Sequence, residues 1–188
     1  MALLLCLCAP LSVQAGGMGT VPSSAASAPS TRTSTAEQKG VETIEYDPND
    51  PAIQAAVKAA RKTLPDFFKV IATPSSTITN MAVKIEVRDG KAREYIWILP
   101  FHAVASEKGK DKGQVFEGQV NDIPRKVRKV VTGQQLRFTE ADIVDWAYSD
   151  LHQHKMFGNY TTCVPLRKAP PEERETLKRV YGLDCDKP

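Results

Sequence analysis

Residues 80–101, NMAVKIEVRDGKAREYIWILPF, carry the strongest fold signal in this chain of 188 residues. Apolar and polar residues alternate in the first half, as in a half-buried strand. The apolar positions are Met81, Val83, Ile85 and Val87. Asp89-Gly90 then predicts a two-residue turn, because glycine tolerates the positive φ that such turns require. The return segment EYIWIL is apolar on both faces, so the stretch predicts a β-hairpin whose second strand is central in a sheet.

The segments on either side supply helices and further strands. Asp50 is a good N-cap and Pro51 suits the first helical position of PAIQAAVKAARKTL, a helix that Pro65 either ends or restarts. QVFEGQV (114–120) and QQLRF (134–138) read as strands. Between them, IPRKVRKVVTG (123–133) reads as a short helix that ends at Gly133. PPEERETLKRVYG (170–182) predicts a C-terminal helix, with acidic residues early and basic residues late.

Residues 138–151, FTEADIVDWAYSDL, admit two interpretations. As a helix, Thr139 would be the N-cap and Asp142 would lie at its third position. As a hairpin, IVDWAY (143–148) and MFGNYTTCV (156–164) would be strands joined by a turn at 149–155. The β-branched and aromatic residues favour the hairpin. The elements together predict an α+β fold: an antiparallel, partly curled sheet of about five or six strands, with an N-terminal helix packed on it and a short C-terminal helix.

The N-terminus predicts export. ALLLCLCAPL (2–11) is far shorter than the roughly 20 apolar residues of a membrane-spanning helix, and Val13 and Ala15 suit a signal peptidase site. No basic residue precedes this run, so either the natural start lies upstream or the signal is atypical. Residues 16–45 are rich in Gly, Ser, Thr, Ala and Pro, which predicts a flexible tether. We therefore expect a signal peptide at 1–15, a tether at 16–45 and one globular domain at 46–188, located in the periplasm or secreted.

Export bears on the cysteines. Cleavage after Ala15 removes Cys6 and Cys8 and leaves Cys163 and Cys185, which most simply form one disulfide in an oxidising compartment. Its loop of about 22 residues is worth roughly 3 kcal/mol on the chain-entropy estimate. Two unpaired thiols are the alternative, and the absence of a close CxxC pair argues against zinc.

Several classes of function lack their sequence signals. The net charge of +3 is too mild to indicate nucleic acid, and no glycine-rich phosphate loop indicates a nucleotide cofactor. There is no G-x-S-x-G elbow, and an oxidised cysteine pair leaves no thiol nucleophile. A metal site at His152 and His154 would need a shared face and Asp145 or Asp150 as a third ligand. We therefore expect no cofactor and no metal, and exposed turn histidines.

The remaining candidates fall into two groups. Possible partner contacts lie in the turn and in the charged 106–113 loop: His152, His154, Lys155, Lys108, Lys110 and Asp111. A second group could be functional or structural: Glu94, Trp97, Asp145, Trp146 and Tyr148. Glu94 and Asp145 could do acid–base work as paired carboxylates. A strand carboxylate beside tryptophan is more often a hydrogen-bond or ion-pair partner.

An ordered set of motifs over about residues 50–170 resembles the bacterial YegJ-like family, a domain of unknown function. The matching pieces are AIQAAVKAARKTLPDFF, EYIWI with Glu94 and Trp97, FEGQVNDIP with Gly118, Asn121 and Pro124, the Gly133 turn, IVDWAY with Asp145, Trp146 and Tyr148, and GNYTT with Gly158, Tyr160 and Thr161. The resemblance implies a fold more than an activity. In the family's usual pattern the turn before G-x-Y-T is brief. Here SDLHQHKMF looks longer, and the tail with Cys185 looks like an addition.

The leading functional hypothesis is an exported, non-catalytic binding protein. Its partner would be another protein, in the manner of an immunity protein or inhibitor that occludes a secreted toxin or cell-wall enzyme. One alternative is a cell-envelope hydrolase using Asp145 and Glu94 with a histidine. Another is an envelope module whose Arg125–Lys129 patch binds anionic glycan or lipid headgroups. Neither nucleic acid nor a membrane span is expected.

Overall fold

The structure, a computed structural model, describes residues 47–107 and 113–186. The expected signal peptide and tether, and Lys108, Lys110 and Asp111, lie outside the described residues. The elements in chain order are α1 (Pro51–Ala72), β1 (Ile78–Asp89), β2 (Ala92–Val104), β3 (Val115–Val120), β4 (Gln135–Thr139), β5 (Ile143–Asp150), β6 (Lys155–Gly158), α2 (Tyr160–Leu166) and α3 (Pro171–Tyr181). No helix among the described residues is long and apolar enough to cross a membrane.

The sheet confirms the predicted α+β class. Its six strands are all antiparallel and lie in the order β4-β3-β2-β1-β5-β6. The hairpin at residues 80–101 is therefore at its centre, as predicted. Val83 of β1 lies between Ile98 of β2 and Trp146 of β5, and the core is built on this face. Lys84, the next residue of β1, points to the opposite face of the sheet. Its side chain is buried, although strand alternation predicts that it is exposed.

Helix α1 begins as the sequence predicts. The Asp50 carboxylate accepts from the backbone N–H of Ala52 at 2.7 Å, and Pro51 is the first helical residue. The helix continues through Pro65 to Ala72, so proline neither ends nor restarts it. Burial of Leu64 and Phe67 on either side of the proline holds the helix on the sheet despite the missing N–H. The indole Nε1 of Trp146 donates to the carbonyl of Ala60 at 3.0 Å.

The predicted helix at 123–133 is wrong. This segment is an irregular connection between β3 and β4. Its helical spacing does bury Val127 and Val130, but the N–H groups of residues 125–129 bond to the carboxylates of Glu94 and Asp89. Distant carboxylates replace the helical carbonyl partners. Val127 and Val130 are buried without a helix, whereas Val131, which helical spacing places on the same face, is 61% exposed.

The hairpin at 143–158 is confirmed, with a turn of four residues, 151–154. The predicted strand at 156–164 is wrong beyond Gly158, because α2 begins at Tyr160. Gly158 and Asn159 have φ values of 81° and 60°, which an extended strand does not permit. A Cβ at Gly158 would lie 2.0 Å from the carbonyl oxygen of Trp146, so glycine is required at this point of the G-N-Y-T-T segment.

Candidate functional site

A buried polar cluster lies on the face of the sheet that carries Lys84. Lys84 is opposite Trp97 on one neighbouring strand and opposite Asp145 on the other. Cross-strand partners share a face, so these three side chains lie together. Helix α2 brings Thr161 to the same place, and Asp145 and Thr161 are both 0% exposed. The sequence predicted neither the burial of Lys84 nor its connection to Thr161.

The carboxylate of Asp145 caps α2. Oδ1 accepts from the backbone N–H groups of Trp146 at 2.9 Å and Tyr160 at 3.1 Å. Oδ2 accepts from the N–H of Thr161 at 2.7 Å and from its hydroxyl at 2.6 Å. These four donors match the roughly four lone-pair positions of a carboxylate. The group is therefore occupied by the fold and has no lone pair directed at solvent.

Charge around Asp145 is balanced within the cluster. Burial raises the pKa of Asp145, opposed by the attraction of Lys84 and by the hydrogen bonds from Thr161 and Trp146. The Nζ of Lys84 donates to the hydroxyls of Thr161 at 2.9 Å and Thr162 at 3.1 Å, and lies 4.4 Å from the centre of the Trp97 ring. Thr161 thus accepts from Lys84 and donates to Asp145. Asp145 and Trp97 belong to a structural link between α2 and the sheet.

Glu94 lies on the other face. On β1, Glu94 is opposite Val87, whereas Asp145 is opposite Lys84. Val87 and Lys84 are three positions apart on one strand, and side chains alternate between the faces. The side chains of Glu94 and Asp145 therefore point to opposite sides of the sheet. The Glu94 carboxylate accepts from the N–H groups of Arg125 at 2.9 Å, Lys126 at 2.8 Å and Val127 at 3.0 Å. The two carboxylates are therefore not a pair that one substrate could contact, and Glu94 holds the β3–β4 connection.

Glu94→Gln is expected to lower the free energy of unfolding by about 1.5–3 kcal/mol, because hydrogen bonds to a charged acceptor are lost and an amide NH₂ then faces backbone donors. Urea denaturation at constant m-value measures the change. Glu117→Gln, which changes an exposed carboxylate paired with Arg137, is the matched control and should shift stability by less than about 0.5 kcal/mol. Equal effects of the two substitutions would contradict the assigned role of Glu94.

Trp146 and Tyr148 are parts of the core. The Trp146 ring stacks on Phe67 with centroids 5.1 Å apart and on Tyr148 at 5.9 Å. Phe157 of β6 extends this stack, 4.9 Å from Tyr148. Trp146 and Tyr148 therefore hold α1 and β6 against β5.

The β5–β6 turn is organised by Asp150. Its Oδ1 accepts from the backbone N–H groups of His152 at 2.9 Å and Gln153 at 3.2 Å, and its Oδ2 from the Gln153 side chain at 2.7 Å. Desolvation of Asp150 is outweighed by these hydrogen bonds, those from Gln153 first, which place its pKa below the ordinary value. His152 and His154 are exposed in this turn, and residues 47–107 and 113–186 contain no group of three His, Cys, Asp or Glu side chains placed to hold a metal ion.

The turn is joined to the C-terminal tail. The Nε2 of His154 lies 3.0 Å from the carbonyl oxygen of Arg179, and the N–H of Met156 donates to the carbonyl of Gly182 at 2.9 Å. The predicted disulfide is present and links Cys163 of α2 to Cys185. We call residues 151–155 and 179–182 the turn–tail surface.

The turn–tail surface exposes large apolar side chains. Leu151 is 61% exposed and Tyr181 is 59% exposed, and Val180 is also exposed. Lys155 also belongs to this surface, and its Nζ lies 4.6 Å from the centre of the Phe157 ring. Sequence reasoning identified the histidines and Lys155 but not Val180 or Tyr181. The available signal was that two large apolar residues, Val180 and Tyr181, end a mostly charged helix.

An open cleft on the sheet is lined by charged side chains that already have partners. Glu86 lies between Arg88 and Arg93 and pairs with both. Desolvation opposes these interactions, but the hydrogen bonds from Arg93 and Arg88 keep the pKa of Glu86 below its ordinary value. The guanidinium of Arg61 donates to the carbonyls of Ile143 at 2.8 Å and Ala141 at 2.9 Å. These contacts join α1 and the sheet.

Comparisons with known proteins place the chain among uncharacterized bacterial sequences. A sequence model of the family described as "Uncharacterized protein conserved in bacteria (DUF2314)" matches residues 50–185. The chain is similar to the protein described as "Uncharacterized protein YegJ" of Escherichia coli (strain K12), with 29% identity over 127 residues that cover 68% of this chain and 75% of that relative. No solved structure matches. The family match reaches Cys185, so the tail that looked like an addition lies within it.

Proposed function

The chain belongs to the bacterial family DUF2314, whose description states no activity, and we propose that it is an exported, non-catalytic binding protein. It occludes a protein partner, in the manner of an immunity protein or inhibitor that covers a secreted toxin or cell-wall enzyme. The observation that carries this proposal is the turn–tail surface, where two segments distant in sequence are held together and present exposed apolar side chains.

The contacts of this surface favour binding. Its two segments are joined by the His154–Arg179 and Met156–Gly182 contacts, and the disulfide holds the tail to α2. A surface that is already ordered loses less conformational entropy when a partner binds. Leu151 and Tyr181 then act as anchors, since a few large side chains carry most of the affinity at protein interfaces.

The same arrangement indicates the chemistry of the partner. The same two segments carry the positively charged Lys155 and Arg179 and the exposed His152 and His154. A matching partner has an apolar recess with an acidic rim around it. The candidate carboxylates Glu94 and Asp145 are held in structural hydrogen bonds at other positions, which supports occlusion rather than chemistry at this surface.

Photocrosslinking in the natural host tests the proposal. A photoreactive amino acid at position 151 or 181 is expected to crosslink to one defined protein, whereas the same group at position 131 is not. Val131 is the matched control because it is 61% exposed, as is Leu151.

Affinity for the crosslinked protein then decides whether the surface matters. Leu151→Ser with Tyr181→Ala is expected to raise Kd at least about 100-fold, since each anchor contributes about 2 kcal/mol or more. Val131→Ser should leave Kd unchanged. Crosslinks from position 131 alone, or equal Kd values for the two variants, would overturn the proposal.

A further inference from the structure

The connection between β3 and β4, residues 121–134, has no regular structure but is held by hydrogen bonds. Five consecutive backbone N–H groups, those of residues 125–129, donate to the carboxylates of Glu94 and Asp89. Val127 and Val130 are buried in the main core. We call residues 123–131 the basic loop.

The anchoring of the basic loop leaves its cationic residues on the outside. Burial of Val127 and Val130 turns the intervening positions away from the core. The exposed residues are Arg125, Lys126, Arg128 and Lys129. The two carboxylates that hold the loop accept from its backbone N–H groups, and the four cationic side chains remain exposed.

Two exposed apolar side chains flank the basic residues. Ile123 is 70% exposed and Val131 is 61% exposed. The hydroxyl of Thr132 donates to the carbonyl of Asp122 at 2.6 Å, which joins the two ends of the loop next to Ile123 and Val131. The loop thus presents a cationic stretch whose two ends carry apolar groups.

We infer that the basic loop docks this domain onto a membrane surface rich in anionic phospholipid. Arg and Lys side chains bind headgroup phosphates, and a pair of apolar side chains beside them enters the boundary between headgroups and acyl chains. No aromatic residue lies in the loop to stack on bases, which favours lipid over single-stranded nucleic acid. The loop is held on the central strands β1 and β2 through Asp89 and Glu94, whereas the turn–tail surface adjoins β6 at an edge of the sheet, so the two surfaces can act separately.

Vesicle co-sedimentation of the full chain tests the inference. Partitioning onto vesicles of 60% phosphatidylcholine and 40% phosphatidylglycerol should exceed that onto pure phosphatidylcholine at least about tenfold in 0.1 M NaCl. It should fall several-fold at 0.5 M NaCl, because added salt screens exposed charges. Equal partitioning onto both vesicles would mean that anionic lipid is not recognised and would overturn the inference.

Loop variants separate the two contributions. Arg128→Glu with Lys129→Glu should reduce partitioning at least about tenfold, and the fold persists because only the backbone N–H groups of these residues bond to Asp89. Ile123→Ser with Val131→Ser should weaken binding while the salt dependence remains. Leu151→Ser with Tyr181→Ala is the control and should partition as the unchanged chain does. A charge-reversed loop that still partitions normally would refute the inference.

The remaining outcomes identify other ligands. If 10 mM inorganic phosphate abolishes partitioning at constant ionic strength, a soluble phosphate rather than a lipid is the ligand. If the loop variants lose a protein partner while vesicle binding is unchanged, the loop binds an acidic protein. Either outcome refutes membrane docking. The proposed role of the turn–tail surface is retained in both cases as long as positions 151 and 181 still crosslink to one defined protein.

Discussion

Asp145→Asn is expected to lower the free energy of unfolding by about 3–5 kcal/mol, because removal of one partner leaves a buried charge uncompensated. The remaining charge is that of Lys84, which is also buried. Each carboxylate oxygen of Asp145 accepts from two donors. Whichever position the NH₂ group of the substituted asparagine occupies, it therefore faces hydrogen-bond donors instead of acceptors. Helix α2 loses its cap at the same time.

Thermal and urea denaturation measure this change. Asp142→Asn is the matched control, because Asp142 is exposed and accepts from the N–H and hydroxyl of Thr139, each at 2.8 Å. The control should cost about 1 kcal/mol. A combined Lys84→Met and Asp145→Leu variant should recover part of the loss, since replacement of both buried charges by apolar groups is often close to neutral.

The Asp145→Asn variant also discriminates between functions. A variant that keeps its stability but loses a measurable activity on cell-envelope material would contradict the structural role and favour the hydrolase. A variant that loses stability, with the combined variant restored, supports the link between α2 and the sheet. If Asp145→Asn lowers stability in this way, the amount of partner bound through the turn–tail surface should be proportional to the fraction of the variant that is folded.

Removal of the disulfide is expected to have the next largest effect. Cys163 and Cys185 are 22 residues apart, and a loop of that size corresponds to about 3 kcal/mol on the chain-entropy estimate. Helix α3 buries none of its residues, so few packing contacts hold it when the crosslink is absent. The Cys163→Ala and Cys185→Ala double variant should therefore release the tail more readily than it unfolds the sheet.

Limited proteolysis with trypsin distinguishes release of the tail from unfolding of the sheet. Cleavage after Arg174, Lys178 or Arg179 should be much faster in the double variant or in the reduced protein, whereas cleavage within the sheet should change little. The reducing agent should have no effect on the double variant, which controls for other actions of the reagent. Unchanged cleavage of the tail would show that noncovalent contacts, such as His154–Arg179, Met156–Gly182 and Arg167–Cys185, are enough to hold it.

Local patterns predicted most of the elements. The alternation before Asp89-Gly90, the Asp50-Pro51 helix start and the strand preferences of 143–148 all correspond to observed structure. These predictions work because hydrophobic periodicity and the φ and ψ preferences of single residues act over a few neighbouring positions. The two wrong elements, at 123–133 and 159–164, are segments whose backbone donors bond to distant carboxylates or whose φ values are positive.

The sequence was sufficient for the strand pairing of residues 80–101 and for the pairing of the cysteines. It was not sufficient for the roles of the carboxylates. Glu94 binds a backbone 31 to 33 positions away and Asp145 binds one 15 and 16 positions away. Whether a carboxylate faces solvent or backbone donors depends on which segments the folded sheet brings to it. Leu151 and Tyr181 likewise belong to one surface because the folded tail packs against the β5–β6 turn, which the sequence does not show.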